Sequence, residues 1–224
     1  MKVLYTILIT FMLSTVSSTL YANETGYEIE LIIFEDVRAR YLNSEDWSYN
    51  DMLDKIENPE TKTTSKNDPE YRELEWKSAK LEKNLEHLTN NTNFRVLLNK
   101  RWRQTGLDRD KTYDIPINAQ ISTQNIDLVN EENKPESTPY ITGTIKLIMS
   151  RYLHFNVNLE YHRLQFDENN EQISKVFPII NERRMRSREI HYIDHPLVGI
   201  IVLATPYKIT TSKDDVKATG YKTL

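Results

Sequence analysis

"ITGTIKLIMSRYLHFNVNLEY" (residues 141–161) is the stretch that decides the fold class. Ile145, Leu147 and Met149 alternate with Thr144, Lys146 and Ile148. Leu153, Phe155, Val157, Leu159 and Tyr161 then alternate with His154, Asn156, Asn158, Glu160 and His162. Successive side chains on a strand point to opposite faces, so this pattern sets one face against a core and the other in water. Antiparallel sheets commonly divide that way, whereas parallel strands read as continuous apolar runs. The parity holds from 145 to 161. One long bent strand satisfies it, and so do two strands joined tightly near Ser150 and Arg151.

Similar signals lie to either side. In "YEIELIIFEDV" (27–37), Tyr27, Ile29, Leu31 and Ile33 share a face. Glu28 and Glu30 give way to Ile32 and Phe34 on the other, so the strand becomes buried on both sides. In "FRVLLNKRWRQ" (94–104), Phe94, Val96, Leu98 and Trp102 are expected on one face, interrupted by Lys100, with Arg95, Arg101 and Arg103 on the other. "YDIPINAQI" (113–121) reads as an edge strand, because Pro116 removes a ladder donor. "FDENNEQ" (166–172) reads as a hairpin loop, residues 182–193 as a strand and "PLVGIIVLATPY" (196–207) as the next.

One helix is predicted. Asp68 suits its cap and Pro69 its first position. Tyr71, Leu74, Ser78, Leu81, Leu85 and Leu88 follow at spacings of 3, 4, 3, 4 and 3, an apolar stripe expected to pack on the domain's own sheet. The sum is an α+β fold, a mostly antiparallel sheet with one main amphipathic helix packed on one face. Polar loops fall near 57–68 and 130–139, and the tail after Lys208 has little to bury and is expected to fray.

Residues 1–22 read as a secretory signal peptide: Lys2, an apolar run over 3–16, then small residues to Ala22. The run is shorter than the roughly 20 residues that span a bilayer. Residues 23–224 suit a single domain with no membrane span. The chain has no cysteine, which excludes disulfide staples and a lipid-anchored cysteine. An exported chain without cysteine fits the bacterial periplasm. A formal net charge of −4 disfavours general nucleic-acid binding.

The densest chemistry is in "ERRMRSREIHYIDHP" (182–196). A metal site is not expected. His191 and His195 have helical ligand spacing, but on a strand they sit about 13 Å apart. Catalysis is not expected either, since the chain has no cysteine, no G-x-S-x-G and no Gly-rich phosphate loop, and no cofactor is implied. Strand parity instead puts Arg184, Arg186 and Arg188 on one face at about 6.6–6.8 Å intervals. Such guanidinium forks match carboxylates and phosphates. Two readings stay open: the ladder binds an anionic ligand, or Glu28, Glu30 and Glu160 on neighbouring strands neutralise it. Trp47, Trp102 and thirteen tyrosines offer stacking faces. Trp102, between Arg101 and Arg103, is equally consistent with a core residue beside Leu98.

"YEIELIIFED", "FRVLLNKRWRQTGLD" (94–108), "GTIKLIMSRYLHFNVNLEY" (143–161) and "RRMRSREIHYIDHPLVGIIVLATPY" (183–207), in that order, resemble the CsiV family of periplasmic peptidoglycan-binding proteins of Gram-negative bacteria. "RYLH" and the "RRMRS…E.HY.DHP..G" pattern are the specific parts. The resemblance implies a non-enzymatic role in cell-wall biogenesis. It also implies a pathway in which an outer-membrane lipoprotein activates a class A penicillin-binding protein. Peptidoglycan is the implied partner, and its stem peptides and muramyl groups offer the carboxylates that arginine forks match. Motif membership makes Arg184, Arg186, Arg188, His191, Asp194, His195, Arg151, His154 and Trp102 the candidate ligand contacts. Asp194 and His195 are also suited to locking a turn between two strands. The alternative function is a protein-interaction adaptor of the cell envelope without direct wall binding.

Overall fold

A computed structural model describes residues 25–38, 67–120, 139–166 and 172–209. The expected signal peptide, Trp47, most of both polar loops and the tail lie outside the described residues. Nine strands and one helix are described: β1 (Thr25–Asp36), β2 (Arg72–Leu74), α1 (Glu82–Thr89), β3 (Phe94–Thr105), β4 (Ile115–Gln120), β5 (Tyr140–Met149), β6 (Leu153–Phe166), β7 (Gln172–Met185), β8 (Ile190–Asp194) and β9 (Val198–Lys208). They form two antiparallel sheets, ordered β2-β3-β1-β9-β8 and β4-β5-β6-β7.

The 141–161 stretch is two strands and not one. β5 and β6 pair from Tyr140↔His162 to Met149↔Leu153, and the Ser150 N–H donates to the Tyr152 carbonyl to close the turn. The alternating face is buried as its parity predicts: Ile145, Leu147, Phe155, Val157, Leu159 and Tyr161 all enter the core between the sheets. Gly143 sits at φ +125° where β5 crosses closest to β6, and a Cβ there would meet the Asn158 carbonyl oxygen at 2.3 Å. Only glycine fits that approach. β4 is an edge strand, consistent with Pro116.

β1 is central to the other sheet. Its Ile29, Leu31 and Ile33 face the inter-sheet core, while Ile32 and Phe34 face away, beneath α1. β3 departs from the expected parity. Ile33 pairs with Leu98 but Phe34 pairs with Val96, so Leu97 is an extra residue opposite β1. This bulge swaps faces. Phe94 and Val96 therefore pack under α1, while Leu97, Leu98 and Trp102 join the inter-sheet core.

The predicted long helix is the main correction. The described helix has eight residues, and the front of the stripe does other work. Arg72–Leu74 pairs with β3 as an edge strand. Ser78 takes φ +66°, which ends any helix there. Asp68 does not cap a helix, because its carboxylate receives the Thr105 N–H (2.8 Å), the Thr105 hydroxyl (2.8 Å) and the Tyr113 hydroxyl (2.6 Å). The rear of the stripe behaves as expected: Leu81 is buried and Leu85 and Leu88 pack beside it on the outer face of the five-stranded sheet. A helix this short is marginal alone and is held by that face.

Charge fixes α1 and the sheets in place. The Leu81 N–H donates to buried Glu30 at 2.8 Å. Arg101 pairs with Glu28 and also donates to the Glu75 and Lys77 carbonyls, latching the segment ahead of α1. Burial works to raise the Glu28 carboxyl, but the hydrogen bonds and charges of Arg101 and Arg103 outweigh it and hold it below the usual carboxylate range. Between the sheets, buried Glu35 accepts the Tyr161 hydroxyl and pairs with Arg95 at 3.1 Å.

Candidate functional site

The arginine-rich stretch does not form a ladder. β7 ends at Met185, Arg186–Glu189 is a turn, and β8 starts at Ile190 in the other sheet. Met185 and Ile193 both belong to the inter-sheet core, so the chain must change sheets between them. Arg188 takes φ +67° and its N–H donates to the Ala204 carbonyl at 2.8 Å. The strict alternation of Arg184, Arg186 and Arg188 is lost at this corner.

A different arrangement takes its place. Arg184 on β7 lies directly opposite His154 on β6, two residues beyond the hairpin that holds Arg151 and Tyr152. Its guanidinium carbon stacks 3.3 Å from the Tyr152 ring centroid, a cation–π contact that orients the fork. Arg151, Arg184, Arg186 and Arg188 are all exposed at this end of the sandwich. The glutamates do not neutralise them. Glu28 is taken by Arg101 and Arg103, Glu30 by the Leu81 N–H, and Glu160 lies 3.5 Å from His162. Among the described residues the Arg186 guanidinium pairs with Glu189, at 3.7 Å and exposed, a geometry worth little in water.

His191 holds the corner: its Nε2 accepts the Arg186 N–H at 3.0 Å. His154 Nδ1 lies 3.1 Å from Glu182, which also takes Arg109 at 2.5 Å. The Arg109 hydrogen bond holds the Glu182 carboxyl below its usual range, against the opposing push of burial. Trp102 is 0 % exposed, with its Nε1–H donating to Gln104 at 2.8 Å. Among the described residues no group of three or more His, Asp and Glu side chains converges to hold a metal ion.

The "DHP" segment is a tight turn. His195 and Val198 exchange backbone hydrogen bonds, each 3.2 Å, across Pro196 and Leu197, with proline at its favoured second position. His195 Nδ1 accepts the Leu197 N–H at 3.3 Å. Burial pushes the imidazole down to about 4, against the opposing pull of Asp194. A neutral form favoured by folding contributes stability that is present above the unfolded value near 6.5 and is lost as pH falls towards 4. The thermal midpoint is therefore expected to fall between pH 7 and pH 5, and less so in His195→Gln. Equal slopes in the two proteins would show that His195 is not the responsible group.

This turn closes one end of a groove of about 480 Å³ on the outer face of the five-stranded sheet. Phe34 and Phe94 meet edge to face at 5.2 Å, and Phe34 lies parallel to Tyr192 with centroids 6.3 Å apart. Gly199 makes room for this floor, since a Cβ there would meet the Phe34 ring at 2.3 Å. Asp36 and Asp194 stand at the rim. Asp36 is paired with Arg38 at 3.2 Å, and the Tyr192 hydroxyl donates to Asp194 at 2.9 Å. Burial and these carboxylates push the Tyr192 phenol up to about 12. Tyr192 remains 44 % exposed.

A family model described as "Peptidoglycan-binding protein, CsiV" matches residues 3–207. The chain belongs to the CsiV family. Comparison with curated proteins and with solved structures returned no match. No helix among the described residues is long and apolar enough to cross a membrane. In this CsiV-family chain the "HYIDHPLVG" segment (191–199) supplies Tyr192, Asp194, His195, Pro196 and Gly199 to the groove. Sequence reasoning missed Phe34, Asp36 and Phe94, which lie far away in the chain. It also missed Tyr152 beneath Arg184. The readable signal was a glycine in a buried strand, which marks a close approach by another group.

Proposed function

We propose that this protein binds peptidoglycan without cutting it, in the periplasm, and that it supports wall synthesis through the outer-membrane lipoprotein and class A penicillin-binding protein pathway. The observation that carries the reading is the basic corner. Arg151, Arg184, Arg186 and Arg188 are exposed at one end of the sandwich, and Tyr152 holds one fork in place. Rigid forks in water bind carboxylates bidentately, and stem peptides present carboxylates on an otherwise neutral polymer. The peptidoglycan-binding description of the family supports the same partner. His154 and His191 brace this corner, and His195 braces the turn at the far end of β8.

Sedimentation with purified sacculi tests the reading. Wild type is expected in the pellet, and less so as salt rises, because exposed ion pairs are screened. An Arg184/Arg186/Arg188→Ala variant is expected to bind at least tenfold more weakly, the loss of about 1.4 kcal/mol. Wild type that stays in the supernatant would sink direct wall binding. Muropeptide release would point to hydrolysis instead. The adaptor reading has one observation in its favour: Ile180, on edge strand β7, is 50 % exposed.

A further inference from the structure

We propose that the groove between Phe34, Phe94 and Tyr192 is a saccharide subsite, separate from the basic corner, that takes a neutral N-acetylated sugar ring of the glycan strand. This inference rests on the wall-binding reading and adds to it which part of the polymer goes where.

Shape comes first. The groove's volume of about 480 Å³ falls within the roughly 300–1,000 Å³ of small-molecule sites. Its floor is an aromatic surface whose outermost ring, Tyr192, keeps nearly half its area in water. A pyranose presents axial C–H bonds on one face, and that face is apolar enough to lie on an aromatic ring. Tyr192 cannot withdraw easily, because its hydroxyl is tied to Asp194 and its ring lies parallel to Phe34. A ring already fixed in place loses little conformational entropy when a ligand arrives.

Charge decides between ligands. Asp194 and Asp36 line the groove, and among the described residues Arg38 is the guanidinium that pairs with Asp36. Carboxylate oxygens accept hydrogen bonds from sugar hydroxyls and from an acetamido N–H. They repel the carboxylates of stem peptides and of lactyl groups. The groove thus selects against the anionic part of the polymer, which the basic corner is built to attract.

The two sites lie at opposite ends of β8. The five residues of β8 run from the turn at Arg186–Glu189 to Asp194, a span of about 14 Å. Ile190 (55 % exposed) and Tyr192 lie on the same face of that edge strand and join the two ends. A peptide of about four extended residues covers that distance. One muropeptide can then lay its sugar on Tyr192 and reach the arginines with its stem.

The test uses the full mature protein and three probes: intact sacculi, uncharged oligomers of N-acetylglucosamine as the bare glycan, and free stem peptides. Wild type is expected to bind all three. Tyr192→Ala is expected to lose about tenfold or more on bare glycan, the scale of a truncated aromatic anchor, with little change on free stem peptides. Tyr192→Phe keeps the stacking face and should stay within a few-fold of wild type. Thermal midpoints of both variants, measured alongside, separate lost binding from lost folding. Wild type that binds sacculi and stem peptides but not bare glycan overturns the subsite while leaving wall binding intact. A folded Tyr192→Ala protein that binds bare glycan as wild type does also overturns it. Wild type that binds no sacculi removes both readings together.

Discussion

Trp102→Ala is expected to destabilise the protein by about 3–5 kcal/mol, the range for removing a buried large aromatic. The ring is fully buried between the sheets, in register with Ile29 on β1 and Glu73 on β2. Truncation leaves a cavity and also strips Gln104, itself 0 % exposed, of the Nε1–H it accepts. An unmet buried acceptor adds about 1–3 kcal/mol. Denaturant unfolding would read the loss as a lower midpoint at unchanged slope. Sacculus binding per folded molecule should not change, because no part of the indole reaches the surface. A Trp102→Ala protein of normal stability that no longer sediments with sacculi would reverse this assignment and make the ring a ligand contact.

Asp68→Ala is expected to cost a similar amount, about 3–5 kcal/mol. The carboxylate is buried and gathers the Thr105 N–H, the Thr105 and Tyr113 hydroxyls, and the Glu70 N–H at 3.0 Å. It ties the segment ahead of β2 to the end of β3 and to the approach to β4. Thr105 and Tyr113 are buried, so alanine leaves their donors with no water to turn to. Asp68→Asn keeps one acceptor oxygen and should lose about half as much. The size of the alanine effect discriminates two roles. An ordinary helix N-cap is worth about 1 kcal/mol, so a loss that small would mean the residue caps a helix, as its place before Pro69 suggests, and not the junction seen in the structure.

Trp102 and Asp68 show the same limit in reading a chain. Immediate neighbours leave Trp102 open between a stacking ring flanked by two arginines and a core residue beside Leu98, and they suggest for Asp68 a cap before a proline. In both cases a partner remote in sequence or across the sheet won. The second sheet encloses Trp102, and Thr105 and Tyr113 claim Asp68. The stripe from Tyr71 to Leu88 failed in its front half for the same reason. β3 had an open edge that Arg72–Leu74 could pair with, and pairing satisfies backbone groups that a helix would otherwise satisfy itself. Local helical preference is worth tenths of a kcal/mol per residue and yields to such contacts.

The candidate site was legible only in pieces. The motif residues from Arg184 to Pro196 were visible as a block, yet the ladder drawn through them assumed one strand. The corner at Arg186–Glu189 broke it and carried β8 into the other sheet. That crossing gives Arg184 the Tyr152 face and gives Tyr192 the Phe34 face.

By itself, the sequence determined which faces are buried. Alternation at 145–161 and at 27–31 is a property of each strand alone, because side-chain direction has a period of two whatever the strand pairs with. It also carried the family, through contiguous motifs. The division into two sheets, the bulge at Leu97, the eight-residue helix and the groove were decided by tertiary structure. Each depends on which strand lies beside which, and a one-residue shift of register turns a side chain to the opposite face. That choice is made by contacts between residues far apart in the chain, such as Phe34 over Gly199 and Tyr161 against Glu35.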